Sequence, residues 1–89
     1  MTPAPDVAAQ IIALPEGTTY GVAYGHRYVT TKTIFNAGRS AKIVAERLGG
    51  GDYISLNFYS LHRGAHLRPC EMPADTVIDF LREFVPDPA

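Results

Sequence analysis

The sequence predicts an α+β domain: an antiparallel meander of about five strands, with a short N-terminal helix and a C-terminal helix packed on one sheet face. Three observations carry that expectation. Residues 18–61 are a succession of stretches rich in Thr, Val, Ile and aromatics, broken by glycine-containing turns, which suits pleated strands. Val77, Ile78, Leu81, Phe84 and Val85 recur at helical spacing, the stripe of a helix docked on a sheet. Ile54, Leu56 and Phe58 alternate with Tyr53, Ser55, Asn57 and Tyr59, so one strand has an apolar face and a polar-aromatic face.

The elements follow in order. Residues 1–5 hold two prolines and read as a loose tail, as do residues 86–89. Asp6 is the expected N-cap of a helix reaching Leu14, with Val7, Ile11 and Leu14 on one face and Pro15 and Gly17 ending it. Residues 18–23 form a short strand, Tyr24-Gly25-His26 a turn, and residues 27–35 a longer strand. Asn36-Ala37-Gly38-Arg39 is a second turn.

Residues 41–48 satisfy two readings. Ala, Lys, Glu, Arg and Leu favour a helix capped by Ser40 and stopped by Gly49. Gly50-Gly51 instead suits a tight hairpin leading into the strand at 53–61, because both central positions accept positive φ. The hairpin is preferred here, and it pairs Leu48 with Tyr53, Ile43 with Phe58 and Ala45 with Leu56. A turn at 62–65 leads to an edge strand at 66–70, where Pro69 is tolerated. Pro73 opens the last helix, with Asp75 near the positive end of its dipole, and the helix runs to about Phe84.

Eighty-nine residues, 46% of them hydrophobic, make a single domain over 1–89. Cys70 has no cysteine partner, so no internal disulfide forms. Neither a secretory leader nor a run of ~20 apolar residues is visible, and a cytoplasmic protein without membrane contact is expected. The net charge of −1 is unevenly spread: residues 26–68 carry seven Lys or Arg against Glu46 and Asp52, whereas residues 69–89 carry five acids against Arg82. A basic sheet flanked by an acidic helix would balance itself. The same basic sheet could also face an anionic partner.

Function is not written in a motif. The candidate binding surface is the polar-aromatic sheet face: Tyr53, Ser55, Asn57 and Tyr59, joined by Tyr28 and Lys32 on a neighbouring strand and by Arg68 on the last one. Cys70, with His66 four residues away, is the candidate thiol centre, since basic neighbours such as Arg68 raise the thiolate fraction. His62, His66 and Cys70 are spaced by four, but on a strand that spacing spans about 13 Å, so no metal site is expected. Gly49-Gly50-Gly51 lacks the Gly-Lys-Ser/Thr of a phosphate loop, and no cofactor is expected. Sheet platforms for single strands combine bases and aromatics, yet the overall charge makes nucleic acid an unlikely partner. The leading reading is a non-enzymatic interaction module, homodimeric, with an unidentified protein or small-molecule partner. A Cys70-dependent or redox-sensitive enzyme, and anion or nucleic-acid binding through the basic central strands, stand as alternatives.

Overall fold

In the computed structural model, which describes residues 1–61 and 64–88, eight elements follow in order. They are α1 (Pro5–Ala13), β1 (Gly17–Ala23), β2 (His26–Phe35), β3 (Ser40–Arg47), β4 (Tyr53–Leu61), β5 (Gly64–Pro69), α2 (Ala74–Glu83) and β6 (Val85–Pro86). The strands form one antiparallel sheet in the order β5-β4-β3-β2-β1-β6. Both helices lie on the same face. Val7 and Ile11 of α1 and Val77, Phe80 and Leu81 of α2 are fully buried there with Ile43, Ile54 and Leu56. The α+β meander is therefore as expected, with one strand more. No described helix is long and apolar enough to cross a membrane.

Local chemistry explains most boundaries. Pro5 takes the first helical position of α1, its fixed φ already helical, so the N-cap is Ala4 and not Asp6. Asp6 sits in the first turn instead, where its carboxylate accepts from Arg82 Nε of α2 at 2.9 Å. Tyr24-Gly25 closes the β1–β2 hairpin with φ of 54° and 74°, the mirror-image turn that matches strand twist. Asn36, Ala37 and Gly38 are all left-handed in the β2–β3 loop, and the Asn36 side chain donates to Ser40 Oγ at 3.0 Å.

Residues 41–48 are a strand to Arg47, but the register differs from the expected one by two. Glu46 faces Tyr53 and Ile43 faces Leu56. The cause is the loop: Gly49, Gly50 and Gly51 all have positive φ, so the turn spreads over three glycines, and the Asp52 carbonyl accepts from Arg47 N–H to close it. Leu48 bonds back to the Arg27 carbonyl of β2. A slip of two preserves the side-chain faces, so the apolar row of β4 stays inward.

The residues expected as tails are seated in part. Met1 exchanges both backbone hydrogen bonds with Leu67 of β5, at 2.7 and 2.9 Å, and Pro3 is buried. At the other end Val85 and Pro86 pair with Val22 and Gly21 as the unforeseen sixth strand. Gly21 is required there, because a Cβ would lie 2.4 Å from the Val85 carbonyl oxygen and 2.6 Å from the Phe84 ring.

Candidate functional site

Cross-strand partners share a face, so the register lays out the side of the sheet that no described helix covers. One row runs Tyr20, Val29, Glu46, Tyr53 across β1 to β4. Beside it lie Val85, Val22 and Arg27, with Leu48 just beyond the end of β3. On the other side come Thr18, Thr31, Val44 and Ser55, then Thr33, Lys42, Asn57 and Arg68, then Phe35, Ser40, Tyr59 and His66. The face is thus divided. At one end of the strands apolar and aromatic side chains surround Glu46 and Arg27, while toward the other end Lys42 on β3 and Arg68 on β5 carry cations.

Exposure sharpens the division. Tyr20 is 49% exposed, Tyr53 50%, Leu48 47% and Val85 65%, so four large apolar side chains stand in solvent near one corner. Beside Leu48 and Tyr53 a shallow depression of about 540 Å³ is lined by Val29, the three glycines of the β3–β4 loop and the charged Glu46, Arg47 and Asp52. Arg27 and Asp87 pair at 2.7 Å beside this corner, and the bond from Arg27 holds the Asp87 carboxyl below its usual range. Lys42 and Arg68 flank Asn57 in a single row, and among the described residues neither has a carboxylate within salt-bridge distance.

Of the binding residues expected from the sequence, Tyr53, Ser55, Asn57, Tyr59 and Arg68 lie on this open face. Tyr53 is exposed and Tyr59 half-buried, whereas Ser55 is buried. Tyr28 and Lys32 do not belong to it. They sit opposite Arg47 and Ile43, on the helix-covered face, at 2% and 8% exposure. The strand 27–35 mixes polar and apolar residues in both alternate sets, so its own pattern cannot choose a face. The covered side chooses Tyr28 and Lys32 because each polar tip finds a partner there.

Those partners are specific. Lys32 Nζ donates to the carbonyls of Ile11 at 2.8 Å, Ile12 at 3.3 Å and Leu14 at 2.7 Å, satisfying the C-terminal end of α1. Burial lowers the Lys32 pKa, and the nearby Glu16 charge opposes that. Tyr28 packs its ring 5.1 Å from Phe80 and donates its hydroxyl proton to Asp52, whose other oxygen accepts from Tyr53 N–H. Burial, followed by the Asp52 bond and charge, pushes the Tyr28 hydroxyl up to about 12.

The thiol candidate is not assembled. Cys70 Sγ accepts from Asn57 Nδ2 at 3.4 Å, and Cys70 N–H bonds the Ser55 carbonyl. His66 lies four residues before Cys70, about 13 Å at ~3.3 Å per residue, and pairs across to Tyr59 on β4. Its ring lies 3.1 Å from the Met1 amine and stacks obliquely on Tyr59. His62 lies outside the described residues, and among the described residues no three His, Cys, Asp or Glu side chains gather as metal ligands.

No protein-family model matches this chain, and neither a curated protein nor a solved structure matches it significantly.

Sequence reasoning missed Tyr20, Val22, Val29, Leu48 and Val85. The alternation Thr18, Tyr20, Val22 carried the signal, but only the pairing of β1 with β2 and β6 decides which side it faces.

Proposed function

We propose that this chain is a non-enzymatic interaction module that pairs with a second copy of itself through the apolar corner of its open sheet face. The supporting observation is the cluster Tyr20, Val22, Val29, Leu48, Tyr53 and Val85, uncovered on a sheet whose other face is closed by two helices. A chain of this length buries only about 60–65% of its unfolded surface, so covering that corner against a copy adds burial where it is scarce. Because apolar side chains outnumber Glu46 and the Arg27–Asp87 pair in these rows, the strength of the contact should change little with salt. Sedimentation equilibrium at low and moderate salt tests this. A dimer at both, shifted to monomer by Tyr53→Glu without loss of fold, is the expected result, and a wild-type monomer at micromolar concentration would refute the pairing.

A second reading has its own support in the Lys42–Asn57–Arg68 row, with the Tyr59 ring in the next row. Two cations around an amide, next to an aromatic face, suit an anionic ligand such as a phosphate ester. Binding of inorganic phosphate or a short oligonucleotide that weakens as salt rises, and that Arg68→Ala reduces, is the expected outcome. Salt-independent or absent binding would remove this reading. The Cys70 alternative is not carried forward, because His66 is too distant to exchange a proton with the thiol.

A further inference from the structure

We propose that a second cavity, on the helix-covered side of the sheet, binds a small aliphatic carboxylate. It does not depend on the open face and would stand if the dimer failed. The cavity encloses about 300 Å³ where the C-terminal end of α1 meets the β2–β3 hairpin and the far end of β4. Its walls are Ile11, Ile12, Ile34, Ala41 and Phe58. The inner wall is sealed, with Ile11 at 0% and Phe58 at 7% exposure, while Ile12 at 67% and Ile34 at 39% stand at the mouth. Branched aliphatic side chains held open on both sides of a cleft form a surface that an alkyl chain would cover. The volume lies at the small end of ligand pockets, which run from ~300 to ~1,000 Å³, so a chain of medium length fits and a drug-sized molecule does not.

The polar lining specifies the head group. The charged residues lining the cavity, Lys32 and Arg39, are both cations. Lys32 is held by three carbonyls of α1, which satisfy its protons without neutralising its charge. Glu16 lies close enough to influence Lys32, and its carboxylate accepts from Ile34 N–H at 3.2 Å. Arg39 donates Nε to the Asn36 carbonyl at 3.2 Å and carries two further NH₂ groups, a fork that matches a carboxylate. Ser60, on the same face of β4 as Phe58, lies on the same rim. An aliphatic cleft with a guanidinium, a hydroxyl and a buried ammonium therefore selects an apolar anion over a neutral chain or a short anion.

The test titrates the native protein with sodium octanoate, 1-octanol and sodium acetate, following backbone amide shifts by NMR. Saturable octanoate binding is expected, with shifts at Ile12, Ile34, Arg39 and Phe58, and much weaker effects from the two controls. Arg39→Gln lies in an exposed loop, and its fold is checked by the dispersion of its own spectrum. It should weaken octanoate about tenfold, the scale of a charge-assisted hydrogen bond, and leave octanol unchanged. No saturable binding, octanol binding as well as octanoate, or shifts confined to Tyr20 and Tyr53 would each overturn the proposal.

Discussion

At the scale of single residues, buried polar groups reveal more of this protein's construction than its apolar core does. Tyr28 is 2% exposed, and its hydroxyl bond to Asp52 ties β2 to the loop that precedes β4. A phenol whose pKa rises to about 12 on folding favours the folded state fully below its unfolded value near 10, and that contribution is lost as pH climbs from 10 through 12. The loss amounts to about 2–3 kcal/mol. Tyr28→Phe should therefore flatten the fall of stability between pH 10 and 12 measured by urea denaturation. Part of the slope should remain, because burial and the charges of Asp79, Glu83 and Asp52 shift Tyr24 the same way. Ala37 makes a different point. It sits at φ 56°, a left-handed conformation that costs a side-chain-bearing residue roughly 1 kcal/mol. Ala37→Gly should stabilise the chain by about 0.5–1 kcal/mol, less what glycine adds to the freedom of the unfolded state, and a raised melting temperature would register it. Neither residue can be assigned such a role from the sequence, since both depend on which way the backbone turns.

At the scale of elements, the strands were legible wherever alternation was clean. The row Ile54, Leu56, Phe58 points inward as its pattern demands, and β4 spans residues 53–61 as read from the sequence. The last helix was equally legible from its stripe, of which Val77, Leu81 and Phe84 are buried. What escaped was β6, a two-residue strand too short to have a period. It exists because Phe84 ends α2 by stacking 5.3 Å from Phe80, which delivers Val85 to the edge of β1. Gly21 permits that approach. Gly21→Ala should push β6 and the Phe84 ring away from β1 and cost about 1–3 kcal/mol, seen as a lower unfolding midpoint. An unchanged midpoint would mean that β6 contributes little to the fold.

At the scale of the whole molecule, charge and apolar surface are distributed between the two sides of one sheet. Lys42 and Arg68 lie on the open face, whereas Asp75, Asp79 and Glu83 belong to α2, which packs on the opposite face. The acidic helix therefore does not cover those basic residues, although Arg82 and Arg27 find carboxylates in Asp6 and Asp87. This separation gives the molecule a polarity that a net charge of −1 conceals. Self-association should follow the apolar corner and be salt-insensitive, while any anion binding should follow the cationic row and be salt-sensitive. Equilibrium sedimentation across salt concentrations follows the first, and titration with phosphate or a short oligonucleotide at the same salt concentrations follows the second.

The amino-acid sequence by itself determined the α+β class, the order of all elements except β6, and the inward row of β4, because these rest on periodicity and turn chemistry, which are local. Only the tertiary structure decided the β3–β4 register, the face taken by Tyr28 and Lys32, and the apolar corner around Tyr20 and Tyr53. The physical reason is the same in each case. A strand whose two alternate sets are equally mixed has no preferred side until its polar tips meet partners, and those partners, the carbonyls of α1 and the Asp52 carboxylate, are distant in sequence and brought close only by folding.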